Sequence, residues 1–264
     1  MSPTEGAATF TAGGDAYDAY MGRYAVPLAP LFADVAGVTP GQRALDVGCG
    51  TGALTGELVR RLGAYRVTGC DPSPLLEACR ARHPGVDLRA GTAEDLPYDD
   101  GSLDLAVAQL VLHFVTDAPR ALSEMRRVVA PDGRVAACVW DSTGGMRMLT
   151  AFSDAVREVD GQVPERLRRW PCGHSGELSQ LLTDAGLEDV AETELQVGSR
   201  YDSFDELWST LTLGTGPAGA HLATLSRDAQ RALRTAYLAQ VGSPSGAFTL
   251  GAVARAAVGT VTGH

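Results

Sequence analysis

The segment Asp46-Val47-Gly48-Cys49-Gly50-Thr51-Gly52 sets one carboxylate two residues ahead of three alternating glycines. Glycines at that spacing let a chain turn tightly and come close to a ligand. A helix opening just after the turn presents backbone amides to an anionic or hydrogen-bond-accepting group. Asp46 stands where it can face a cationic part of the same ligand. Asp71, 19 residues beyond Gly52, is placed to accept both hydroxyls of a ribose, or simply to cap the helix that Asp71-Pro72-Ser73-Pro74 opens. Gly48-x-Gly50-x-x-Ala53 also satisfies the dinucleotide fingerprint, so an NAD-linked oxidoreductase is one reading of this stretch. His113, just past a long apolar run, reads either as a satisfied buried histidine or as a general base that titrates near neutral pH.

The elements that must hold these residues follow from hydrophobic periodicity. Leu45 leads a short apolar strand into the glycine turn, and Ala53, Leu54, Leu58, Val59 and Leu62 mark the helix after it. Arg66–Cys70 and Val86–Ala90 read as further strands, with a helix from Asp71 to about Arg82 between them. Leu103–Val111 is an almost unbroken apolar run that suits a fully buried parallel strand. Thr116–Val129 is helical and is stopped by Pro131-Asp132-Gly133, and Gly133–Trp140 is the next strand. This alternation implies a doubly wound parallel sheet.

Upstream, Tyr17, Tyr20 and Tyr24 share one face of a short helix. That face either docks on the core or lets Tyr17, Tyr20 or Arg23 close over a ligand, with Arg23 meeting a carboxylate. Pro27–Val38 continues the helical pattern. Downstream, 141–159, 165–169 and 176–185 look helical, and 190–201 reads as a strand. Residues 204–213 and 226–241 are helical again, and 247–258 can close the sheet. Met146, Met148, Phe152, Trp170 and Trp208 are candidate pocket walls.

The chain has 264 residues and a formal net charge of -10, with 45% hydrophobic and 20% charged residues. That charge argues against nucleic acid as a partner. We find no apolar run long enough for a bilayer and no basic-then-apolar leader, so the expectation is a cytoplasmic protein with no membrane partner. Cys49, Cys70, Cys79, Cys138 and Cys172 form no Cys-x-x-Cys pair and read as small core residues in a reducing compartment. Residues 1–14 read as a disordered tail, and 15–264 as a single domain.

The stretch Asp46–Trp140 resembles the class I methyltransferases that use S-adenosylmethionine. The resemblance rests on the glycine turn, on Gly91-Thr92-Ala93-Glu94-Asp95-Leu96-Pro97, on Gln109-Leu110-Val111-Leu112-His113, and on Ser123–Val128 before Pro131-Asp132-Gly133. The nearest branch is the type 11 and ubiquinone/menaquinone-biosynthesis group. The resemblance implies a Rossmann-like α/β sheet, mostly parallel with its last strand antiparallel. It also implies a core at about 41–140 and helical lid insertions at about 15–38, 141–172 and 202–246.

It further implies methyl transfer from S-adenosylmethionine, leaving S-adenosylhomocysteine, to an O, N or C atom of a small-molecule acceptor such as a secondary metabolite or quinone-like compound. No metal is expected, and the protein is a monomer or homodimer. Carried onto this sequence, Asp46, Gly48, Cys49, Gly50 and Gly52 take the methionine part and Asp71 with Pro72 the ribose. Ala93 and Glu94 take the adenine, Gln109 and Leu110 form the wall at the methionine end, and Tyr20 and Arg23 close over the cofactor. His113 faces the acceptor as the candidate base. Thr92 stands where family members often carry an acidic residue. Because methyl transfer demands few catalytic side chains, a non-catalytic nucleotide-fold binding protein is a further alternative.

Overall fold

A computed structural model describes residues 13–168 and 171–263. Most of the expected tail, together with Arg169, Trp170 and His264, lies outside the described residues. The chain begins with a helical turn Gly14–Tyr17, a π-helical turn Asp18–Gly22, and then helix α1, Arg23–Val35, which buries Tyr24, Leu28 and Phe32 on one face. Strand β1, Ala44–Val47, runs into the glycine turn, and α2, Ala53–Leu62, leaves it. β2 (Val67–Cys70), α3 (Leu75–Arg82), β3 (Asp87–Arg89) and β4 (Leu103–Gln109) follow.

Helix α4, Ala118–Val128, starts where the Asp117 carboxylate accepts the Arg120 amide at 2.9 Å. It is followed at once by β5, Val129–Trp140. The Pro131-Asp132-Gly133 stop expected after the helix therefore lies inside a strand. Asp132 adopts a left-handed backbone (φ 65°) and donates its amide to Val261.

Beyond β5 come α5 (Arg147–Asp160), a helical turn Glu165–Arg168, α6 (Glu177–Asp184) and β6 (Glu188–Tyr201). Helices α7 (Phe204–Thr212), α8 (Gly216–Ala223) and α9 (Arg227–Gln240) lead to β7, Phe248–Thr260. Residues 141–146, expected to be helical, form a turn instead. The Asp141 carboxylate takes the Thr143 amide (2.8 Å) and the Arg255 guanidinium (2.7 Å), and Gly144 sits at φ 117°. A local carboxylate-to-amide bond of this kind competes directly with helix formation.

The seven strands form one sheet in the order β3-β2-β1-β4-β5-β7-β6. β1 pairs in parallel with both β2 and β4, and β7 runs antiparallel to β5 and β6. Helices cover both faces: α1, α2, α5 and α7–α9 pack on one side, and α4 with α6 on the other. The chain steps outward from β1 to β2 and β3, then returns to add β4 on the far side of β1. Strand order thus reverses between β1 and β4, and a crevice opens beyond their carboxyl ends, the place where open α/β sheets receive ligands.

Candidate functional site

That crevice is lined by Gly48 and Gly50 after β1, by Asp71-Pro72-Ser73 after β2, by Thr92, Ala93 and Glu94 after β3, and by Gln109–Val111 and Phe114–Thr116 after β4. Tyr17 covers it from the N-terminal helix. Its inner end narrows to a recess around Asp46, Cys49 and Gln109.

The glycine turn is shaped by close packing. Gly48, Gly50 and Gly52 adopt φ of 68°, 53° and 95°, a region that costs an L side chain about 1–2 kcal/mol. A Cβ on Gly48 would stand 2.5 Å from a methyl of Val111, whereas one on Gly50 would meet nothing within 4 Å. Gly52 does not face the cleft: a Cβ there would lie 2.7 Å from the His83 ring, whose Nε2 is 3.0 Å from the Gly52 carbonyl.

The turn's amides are also spent internally. Gly48 and Cys49 donate to the Cys70 carbonyl (2.8 and 3.0 Å), Gly52 to the Cys49 carbonyl (2.9 Å), and Gly50 to Asp71 Oδ2 (2.8 Å). The turn therefore does not present these four amides to a ligand. It offers close backbone approach, with carboxylates as the polar groups.

Two polar side chains sit at the inner end. Asp46 is 1% exposed, and its carboxylate accepts a hydrogen bond from Thr55 Oγ1 at 2.6 Å. Burial pushes its pKa up from 3.8 to about 7. Gln109 donates Nε2 to the Ala25 carbonyl at 3.0 Å, which leaves Oε1 buried with no partner among the described residues. A carboxyl poised to ionise beside an orphan amide oxygen makes a recess that favours a cation.

Asp71, at the mouth of β2, accepts Ser73 N–H (2.7 Å) and Ser73 Oγ–H (2.5 Å) on Oδ1, besides Gly50 N–H on Oδ2. It is both a cap and a cleft wall. A carboxylate has about four lone-pair sites, so acceptor capacity toward the cleft persists. Glu94 lines the cleft, but its Oε1 accepts the Thr116 amide at 2.8 Å, which ties the loop after β3 to the loop after β4.

That first loop has an anchor the sequence reading did not single out. Glu124, 4% exposed, accepts the Leu96 amide at 3.0 Å and pairs with Arg127, whose guanidinium also reaches the Leu96 and Tyr98 carbonyls. The available signal was an acid on the apolar face of α4, three residues before an arginine. Phe114 was likewise left out although it lines the cleft, and of the three residues offered to close over the ligand Tyr17 is the one that lines it.

Arg23 and Tyr20 need correction. Arg23 points away from the cleft: Nε donates to Ser199 Oγ (2.7 Å), Nη2 pairs with Glu206 (2.8 Å), and the guanidinium lies 4.0 Å from the Tyr201 ring centroid. The π turn Asp18–Gly22 carries Tyr20, 1% exposed, past the cleft into a second cavity. Asp18 itself pins the turn by accepting Thr51 Oγ1 (2.7 Å) and pairing with Arg82 (2.5 Å).

The second cavity lies behind Leu110 and is walled mainly by Met21, Trp140, Leu149, Phe152 and Leu167. Of the expected pocket walls, only Phe152 stands there among the described residues. Met146 and Met148 are buried in the core, and Trp208 packs against Tyr237 and Phe204. Tyr17 and Leu110 border cleft, recess and chamber alike. Leu110 is held at the junction with a left-handed backbone (φ 63°) and donates its amide to the Cys138 carbonyl at 2.8 Å.

His113 borders the chamber but is not available as a base. Nε2 accepts the Trp140 amide at 2.8 Å, so Nδ1 carries the proton and donates it to the Pro171 carbonyl at 2.9 Å. Burial lowers its pKa from 6.5 to about 4. The imidazole ties β5 to the 171–173 segment. The described residues contain no group of three or more His, Cys, Asp or Glu able to hold a metal, and no helix among them is long and apolar enough to cross a membrane.

Comparison with known proteins fits this geometry. Residues 45–137 match the family described as methyltransferase domain. The chain is 32% identical over 174 residues to the demethylmenaquinone methyltransferase of Streptomyces avermitilis, which covers 60% of this chain and 74% of that protein. The chain belongs to the class I S-adenosylmethionine-dependent methyltransferases. A malonyl-[acyl-carrier protein] O-methyltransferase of Serratia marcescens is 35% identical over 124 residues, covering 47% of this methyltransferase and 46% of its relative.

With several curated relatives this methyltransferase shares only 31% to 46% of their length. Among solved structures, a protein of Anabaena variabilis assigned to antibiotic biosynthesis as a methyltransferase superposes with a TM-score of 0.62 at 19% identity, over 89% of this chain and 97% of that one. That likeness is one of fold. S-adenosylmethionine is the cofactor of the family.

Proposed function

We propose that this methyltransferase moves the methyl group of S-adenosylmethionine to a small, largely apolar acceptor. The observation that carries the reading is the meeting, at Leu110 and Tyr17, of a cleft that carries Asp71 and Glu94 and ends in an acidic recess with a second, mainly apolar chamber. Asp46 and Gln109 Oε1 receive the ammonium of the methionine end, and Gly48 and Gly50 let the backbone come close to it. Asp71 receives the ribose hydroxyls, with Pro72 beside it. Ala93 and Glu94 border the adenine, and Thr92 stands beside them without a carboxylate.

The bound cofactor supplies an electrophilic methyl group on a sulfonium. The chain's part is to align the acceptor with that methyl, exclude water and stabilise charge. Such alignment supplies on the order of 7–11 kcal/mol of a barrier. With His113 neutral and doubly bonded, no side-chain base is assigned. Acceptors that are nucleophilic without one, such as an ionised phenol or an activated carbon, fit best. The helix from Gly14 and helices α7–α8 act as the lid.

The test is calorimetric titration with S-adenosylmethionine, S-adenosylhomocysteine and NADH. Micromolar binding of the adenosyl ligands that Asp71→Ala weakens supports the reading. Heat from NADH alone would replace it with the oxidoreductase.

A further inference from the structure

Tyr20 presents an anomaly in the chamber wall. The residue is 1% exposed, and its hydroxyl is buried with no hydrogen-bond partner among the described residues. Buried tyrosine hydroxyls usually find a partner, and leaving one unpaired costs about 1–3 kcal/mol. The ring cannot easily turn elsewhere. The Cε1 and Oη atoms lie 3.0 and 3.2 Å from where a Cβ on Gly216 would stand, so the glycine (φ 69°) leaves just enough space for the phenol. Two further polar groups of the chamber are engaged: His113 by Trp140 and Pro171, and Ser153 Oγ by the Leu167 carbonyl at 3.3 Å.

We infer that Tyr20 Oη is the hydrogen-bond donor that seats one polar atom of the acceptor in this otherwise apolar chamber, selecting flat or compact apolar molecules that carry an oxygen at one edge. The inference rests on the chamber being the acceptor site. Burial raises the phenol's pKa well above its ordinary value, so the hydroxyl keeps its proton and acts as donor rather than base. Tyr20 is therefore a positioning residue for the acceptor, not part of the cofactor cleft.

The experiment is equilibrium dialysis of 2-naphthol and of its isostere 2-methylnaphthalene against the whole chain saturated with S-adenosylhomocysteine, for wild type and Tyr20→Phe. The variant is expected to melt no lower than wild type, since it loses a hydroxyl that has no partner, and to bind S-adenosylhomocysteine with unchanged affinity. Its preference for 2-naphthol over 2-methylnaphthalene should fall about tenfold, the worth of one hydrogen bond. An unchanged preference, or no binding of either aromatic to wild type, overturns the inference. So does a loss of S-adenosylhomocysteine affinity in the variant without a change in preference. Failure of S-adenosylhomocysteine to bind either protein counts against the methyltransferase reading instead, and the naphthol preference measured without it still reports on Tyr20.

Discussion

The backbone amide of Trp140 points into the imidazole of His113, 2.8 Å from Nε2, and so fixes which nitrogen carries the proton. The bond turns the residue best placed by sequence to be a base into a brace. His113→Ala should leave the Trp140 amide and Pro171 carbonyl unsatisfied and cost about 1–3 kcal/mol for each in urea denaturation at pH 7. The folded-state pKa lies below the unfolded one. The stabilisation is thus complete above about 6.5 and is lost as pH falls toward about 4, a slope the variant should lack. A turnover profile with an inflection near 6.5 that His113→Ala abolishes would restore the catalytic role.

Asp46 titrates in the opposite sense. With its pKa raised to about 7, the ligand-free fold holds more protons than the unfolded chain above 3.8, and its contribution to stability is lost as pH rises through 7. An ammonium entering the recess favours the carboxylate, so S-adenosylhomocysteine binding at pH 7 should release about half a proton. Titrations in phosphate and Tris, whose ionisation heats differ, read this directly. Asp46→Asn should remove the buffer dependence and weaken binding at least tenfold.

Asp71 joins the mouth of β2 to the glycine turn through Gly50 and Ser73. Asp71→Ala is expected to lower the melting temperature without ligand and to cost tenfold or more in S-adenosylhomocysteine affinity, about 1.4 kcal/mol per factor of ten. Equal affinity in variant and wild type would leave Asp71 as a cap alone.

The two glycines of the turn should separate fold from ligand. Gly48→Ala drives a Cβ into Val111 and should destabilise the chain beyond the cost of its positive φ, whereas Gly50→Ala meets no neighbour and should lose only about 1–2 kcal/mol. Its methyl would cost affinity for the cofactor. Comparable stability losses in the two variants would refute the distinction.

The parallel half of the sheet was legible because its strands are apolar runs closed by Gly, Pro and Asp. Each site residue at a strand end inherited its place from that pattern. Gly48, Gly50, Asp71, Pro72, Ala93, Glu94, Gln109 and Leu110 all reach the cleft, with Asp46 and Cys49 in its recess. The failures lie where a side chain's direction depends on tertiary partners. Gly52 faces His83, Arg23 is drawn to Glu206 and Ser199, and His113 is taken by two backbone groups distant in sequence. Tyr20 misled for another reason: helical spacing puts it beside Tyr17, but the extra residue per turn in the π segment swings it toward the chamber. No sequence period announces such a turn.

The junction between Tyr17 and Leu110 also sets the gauge of what can be transferred. Any group leaving the cleft for the chamber passes between a phenol ring and an isobutyl chain held by a left-handed backbone. On the proposed function, Leu110→Ala is expected to widen the junction, and turnover of donor analogues carrying allyl or propargyl groups by variant and wild type would show it.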